Sequence, residues 1–221
     1  MSNKAPLLTP SGGWMQLLRG IARATDERTC VVASVPWSGV GNSAPVLSFE
    51  NGRAVATVLL MGNMNSLPLD WAARMSVGGV NMNFFIVKQL PVLPPEAYLG
   101  ELPSSGVTYA EAVATRALEL TYTARDVESF ARSLGYRGGP FRWDKEARHR
   151  LKCELDAIFA HMYELNRPQL EWILESEPPS VSFPTLKRNE EETFGEYRTQ
   201  RYVLHAFDQI SSGQLPCLAD V

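Results

Sequence analysis

Long apolar runs, cysteine and an excess of either charge are all scarce in this 221-residue sequence, and each scarcity removes a class of protein. The longest apolar run, Val55 to Gly62, falls far short of the roughly 20 residues that a membrane-spanning helix needs. Cys30, Cys153 and Cys217 are an odd and sparse set, which implies no disulfide framework. The opening stretch MSNKAPLLTPSGG lacks the apolar core of a signal peptide, so the expectation is a cytoplasmic protein with no membrane partner. A net charge of −3 argues against a non-specific polyanion binder, which advertises a basic excess. The balance is uneven, however. Residues 1–100 carry seven Lys and Arg against five Asp and Glu, whereas residues 101–221 carry fourteen against nineteen.

The patterns of familiar catalytic chemistry are missing too. There is no His-Glu-x-x-His and no Cys-x-x-Cys. His149 and Cys153 stand one helical turn apart without further ligands nearby, and read as a surface histidine and a core cysteine. Gly39-Val-Gly41 has neither a third glycine at the dinucleotide spacing nor a following Gly-Lys-Ser/Thr. Ser34-Val35-Pro36-Trp37 has the outline of the motif with which amino-methyltransferases grip a flipped base, but Val35 stands where the first proline belongs. Glu190, Glu191 and Glu192 suit the start of a helix, where acids meet the positive end of the dipole. The expectation is a chain that is not an enzyme and takes no cofactor.

What is present changes character near residue 100. Before it, Cys30 to Val35 is a β-branched run typical of a strand, and Val46 to Phe49 a shorter one, followed by a turn at Glu50-Asn51-Gly52. Trp14, Leu17, Leu18 and Ile21 have helical spacing and leave that segment ambiguous. Arg19, Arg23 and Arg28 bracket Asp26-Glu27 in a turn. Ala54 to Met64 has the content of a buried helix, and Pro68 fits the first turn of another over Leu67 to Met75. Val80 to Leu90 reads as extended, with Asn81 and Asn83 on one face.

Beyond Thr108 helical patterns dominate: Tyr109–Thr121, Ala124–Leu134, Lys145–Tyr163, Arg167–Glu175 and Phe194–Ile210. Thr108 with Glu111 gives a capping-box signature, and Asp144 can cap the longest helix. In that helix Leu151, Leu155, Ile158, Phe159 and Met162 form a core stripe. Gly135 to Pro140 and Glu177 to Pro184 read as linkers. The predicted class is α+β: a disordered lead-in over residues 1–13, a mixed α/β domain over 14–100 and a helical domain over 101–221.

The polar residues left over are amides and cations: Asn42, Asn63, Asn65, Arg74, Asn81, Asn83, Lys88 and Gln89. Asn and Gln pair with adenine and Arg with guanine in direct readout. By residue type alone, asparagines more often serve turns and helix ends.

Taken in order, Arg23-Ala-Thr-Asp-Glu-Arg-Thr29, the strand closing at Pro36, Leu59-Leu-Met-Gly-Asn-Met-Asn-Ser66, Gly78-Gly79 and Leu90-Pro-Val-Leu-Pro94 resemble the target-recognition region of type IIG and IIL restriction–modification proteins. These are fused adenine-N6 DNA methyltransferases and restriction enzymes, with relatives in phage-defence systems such as BREX and DISARM. Glu154 to Leu165, Lys187-Arg188 and Phe194 to Arg201 look like the helical tail of the same proteins, and the resemblance covers about residues 14–211. It also tips Trp14 to Ile21 toward a strand. The S-adenosylmethionine and base-gripping motifs of the family are missing from this chain. The resemblance therefore implies a recognition module that reads double-stranded DNA while a methyltransferase or restriction partner does the chemistry. Arg23, Arg28, Asn42, Arg74, Asn81, Asn83 and Lys88 are the residues expected to meet DNA. The alternative expectation is a non-enzymatic adaptor subunit of a defence complex.

Overall fold

The structure is a computed structural model that describes residues 12–49, 54–180 and 182–219. The expected lead-in over 1–13, save its last two residues, and the turn at Glu50-Asn51-Gly52 lie outside the described residues. The fold is α+β. Strand β1 (Trp14–Leu18) is central in an antiparallel sheet, with β2 (Val32–Pro36) on one side and β3 (Val46–Leu47) on the other. Trp14 stands opposite Pro36, Leu18 opposite Val32 and Gln16 opposite Leu47. Helical spacing in residues 14–21 is thus overridden by two partner strands. Gly20 continues β1 into a close approach, since a Cβ there would lie 2.9 Å from the Ser43 carbonyl oxygen.

The helices pack against one face of this sheet and on one another. Helix α1 (Ala54–Met64) is buried over most of its surface and therefore apolar nearly all round. Helix α2 (Leu67–Ser76) follows, with Pro68 in its first turn, where no N–H is needed. Helix α4 (Tyr109–Thr121) starts where Thr108 accepts a hydrogen bond from the Glu111 amide. The long helix α6 (Lys145–Met162) starts where Asp144 accepts one from Ala147. Leu155, Ile158 and Phe159 are buried along α6, whereas Leu151 and Met162 are half-buried at the margins of the stripe. Helix α5 (Glu128–Ser133) precedes α6 and α7 (Arg167–Leu174) follows it, and the α6 stripe packs with α9 (Arg198–Ser211), which contributes Val203 and Phe207.

Three expectations need correction. Residues 80–90 are not extended throughout: Asn81 pairs with Ile21, but Phe84–Val87 forms a short helix, α3. Among the described residues no strand lies alongside to pair these β-prone residues, so their amides bond locally, Ile86 and Val87 both donating to the Asn83 carbonyl. The supposed linker ends in a helix, α8 (Pro184–Phe194), which is stopped by Gly195 in the left-handed region at φ 75°. Finally, the three glutamates at 190–192 lie near the end of α8, and α9 begins only at Arg198. Glu190 serves a helix start nonetheless, because its buried carboxylate accepts from the Thr199 amide (2.7 Å) and hydroxyl (2.6 Å) in the first turn of α9.

The boundary near residue 100 marks a change in secondary structure, not a break in packing. One hydrophobic core runs from Leu18 through α1, α4 and α6 to Ile210. Gly62 of α1 is the tightest point: a Cβ there would meet Val113 of α4 at 2.8 Å and Phe159 of α6 at 3.3 Å. Alanine is the better helix former by about 1 kcal/mol, but overpacking a core costs about 1–3 kcal/mol. Gly62→Ala should therefore lower the urea midpoint, whereas the same change at the open Gly78 should not.

The α6–α9 contact also holds a titratable group. His149 packs edge-on to Tyr202 at 5.5 Å, and burial, with the nearby Arg198 cation, pushes its imidazole down to about 4. The unfolded chain binds this proton near pH 6.5 and the folded chain only near 4, so His149 contributes a loss of stability as pH falls through that window. Among its neighbours, burial raises the Glu190 carboxyl, which acts in the opposite sense, and Glu146 is held low by its bond to Arg198. His149→Gln should flatten the fall in thermal midpoint between pH 6.5 and 4.5 relative to the parent.

Candidate nucleic-acid interface

The residues singled out by type fall into two sets, one consumed by the fold and one free at the surface. Arg74 belongs to the first. Its side chain is 2% exposed and that of its partner Asp70, four residues earlier on α2, is 0% exposed. All five of its guanidinium N–H groups are used. Nε donates to Asp70 at 2.8 Å, Nη1 to the carbonyls of Ala24 (2.8 Å) and Ser182 (3.2 Å), and Nη2 to those of Asp26 (2.7 Å) and Glu27 (2.8 Å). The ring of Phe183 lies under the guanidinium at 4.4 Å. The second Asp70 oxygen accepts the amides of Thr29 (2.8 Å) and Cys30 (2.6 Å). Arg74 can offer DNA nothing; it holds the loop between β1 and β2.

Arg28 is likewise committed. It pairs with the buried Asp156 of α6 at 3.1 Å, and the other Asp156 oxygen accepts the Leu67 amide at the start of α2 (2.7 Å). Asn65 bonds both the amide (2.9 Å) and the carbonyl (2.8 Å) of Val32, taking the place of a further strand beside β2. Asn63 donates to the Tyr163 hydroxyl (2.8 Å) and accepts from the Leu93 amide (3.0 Å). The signature stretch from Leu59 to Arg74 is therefore a framework.

The second set gathers elsewhere. Asn42, Asn81 and Asn83 line a groove of about 620 Å³ with Ile21, Phe84 and Phe85. The floor is backbone: the Gly20 amide donates to Ser43 (2.8 Å), and the Met82 amide to Gly20 (2.8 Å). Asn42, Asn81 and Asn83 are exposed, and none spends its amide on a hydrogen bond among the described residues. Phe84 and Phe85 stand 61% and 69% exposed, beside an Ile21 that is also open. Lys88, one turn beyond them, and Arg23, two residues past Ile21, are exposed cations without an ion pair among the described residues. The structure thus brings three of the seven expected residues into one groove, leaves Arg23 and Lys88 near it in sequence, and removes Arg28 and Arg74.

Residue-type reasoning missed Ile21, Phe84 and Phe85 as site residues. The signal was present: two adjacent aromatics, Phe84 and Phe85, follow a Gly-Gly pair and two asparagines, and the short helix they form leaves both exposed. No protein-family model, curated protein or solved structure matches the chain. Among the described residues no cluster of His, Cys, Asp and Glu has a metal-holding arrangement, and no helix is long and apolar enough to cross a membrane. Burial pushes the Cys30 thiol up to about 12 and that of Cys153 well above its ordinary value, so neither offers a thiolate at neutral pH.

Truncating Arg74 strands a buried carboxylate and four carbonyl groups. Arg74→Ala should cost about 3–5 kcal/mol of unfolding free energy, read by urea denaturation, and Arg74→Lys should recover little because an ammonium cannot span the same fork.

Proposed function

We propose that the chain is a sequence-reading module for double-stranded DNA, acting with a methyltransferase or restriction partner that supplies the chemistry. The supporting observation is the groove in which Asn42, Asn81 and Asn83 converge, unused by the fold, beneath two exposed phenylalanines. A free carboxamide offers the donor–acceptor pair that matches N6 and N7 of adenine in the major groove. Exposed phenylalanines beside it give apolar contact with thymine methyls or a wedge against a base step. Lys88 and Arg23 would take phosphates and set register. Two cations are few, so the module reads bases while the partner's surface carries most of the phosphate attraction.

The apolar cluster of Ile21, Phe84 and Phe85 favours a second reading, an adaptor that docks a protein through this same face. The two differ in their response to salt. Selection from a randomised duplex pool should enrich one motif, and affinity for it should fall steeply with salt. Asn81→Ala should relax preference at one base pair, costing roughly 1–3 kcal/mol there. Lys88→Ala should weaken binding to all sequences and reduce the salt slope by about one. A pool that stays random, with salt-independent capture of the partner lost in Phe84→Ala, would transfer the face to the adaptor reading.

A further inference from the structure

A second cleft, of about 430 Å³, opens on the opposite edge of the sheet, between β2 and helices α4 and α6. Its polar lining is unbalanced. Arg28, Arg148 and Lys152 supply three cations, and Asp156 is the single carboxylate, already bonded to Arg28 and to the Leu67 amide. Arg148 and Lys152 sit four residues apart on α6, a spacing at which like charges repel. Neither forms an ion pair among the described residues, and Arg148 spends one nitrogen on the Leu120 carbonyl at 2.6 Å. A chain with a net charge of −3 thus concentrates uncompensated positive charge in one concave place.

The rest of the cleft suits a flat ring. Trp143 is largely exposed and carries the Arg148 guanidinium 3.8 Å over its ring, which fixes the indole at the rim. Strand β2 forms one wall. Asn65 occupies the outward amide and carbonyl of Val32, so the alternation of the strand turns the amide and carbonyl of Ser34 to that same open edge. One donor and one acceptor, side by side, complement the edge of a nucleobase.

We infer that this cleft binds a mononucleotide, with the phosphate on Arg148 and Lys152, the two cations of the cleft without an ion pair among the described residues, and the base between Trp143 and the Ser34 edge of β2. Guanidinium and ammonium groups are the usual partners of phosphate, and the volume lies in the range of small-ligand sites. The site is separate from the amide groove, which opens beside Gly20 and Pro45 at the β3 edge.

Titration calorimetry of the whole chain with each nucleoside 5′-monophosphate, the matching nucleosides and inorganic phosphate tests the assignment. At least one monophosphate should bind with an affinity that falls with salt, while its nucleoside and phosphate alone bind far more weakly. Lys152→Met and Arg148→Met should each weaken it about tenfold, the size of one charge-assisted contact, and Trp143→Ala should weaken nucleotide and nucleoside alike. Lys152 is exposed, so Lys152→Met should keep the thermal midpoint and serve as the folded control. Absence of binding by the parent chain at millimolar nucleotide would overturn the proposal. So would phosphate binding as tightly as nucleotide, or an affinity unchanged in the Arg148→Met, Lys152→Met double variant.

Discussion

The buried pair of Asp70 and Arg74 is the interaction on which the upper half of the molecule depends. A loop of thirteen residues, 19–31, joins β1 to β2 without regular structure of its own. Its carbonyls at Ala24, Asp26 and Glu27 and its amides at Thr29 and Cys30 would be costly to bury unpaired. One carboxylate and one guanidinium on a single turn of α2 satisfy all five. Desolvating two charges is expensive, and the arrangement survives because every donor finds an acceptor of good geometry. The Ser182 carbonyl and the Phe183 ring, which close the set, come from the far end of the sequence.

That dependence ties the two halves of the chain together. Asp156 of α6 holds both Arg28 of the loop and the first amide of α2, and Tyr163, just past the end of α6, holds Asn63. The second half of the chain therefore supplies the groups that fix the geometry of the first. In the DNA-reading proposal, the amide groove sits at the end of this frame, on loops and a short helix that carry no part of it. A rigid support beneath variable polar loops is the arrangement in which binding residues can change without unfolding what holds them.

Much of the frame was legible in the sequence because local signals and tertiary packing agree there. Helix 54–64 stands where its composition puts it and helix 109–121 where its cap does, and Leu155, Ile158 and Phe159 of the α6 stripe are core. Residues 84–87 failed because β-prone side chains need a neighbouring strand and have none among the described residues. Helix 184–194 was not legible, because the prolines at 178, 179 and 184 read as the end of a linker over 177–184, although Pro184 opens the helix. The site was half legible. Residue type finds amides and arginines but cannot separate Asn63, Asn65 and Arg74, which the backbone consumes, from Asn42, Asn81 and Asn83, which it leaves free. That difference lies in contacts as distant as Ser182 and Tyr163, far beyond the span of any local pattern.

Asn65 has one more consequence. An exposed edge strand is a template onto which another chain can add, and sheets so small have little else to discourage it. By occupying the outward amide and carbonyl of Val32, the Asn65 carboxamide acts as a dead-end rung. Only the Ser34 rung stays open before Pro36, which has no N–H to give. A single side chain thus shortens the β2 edge to which another strand could add.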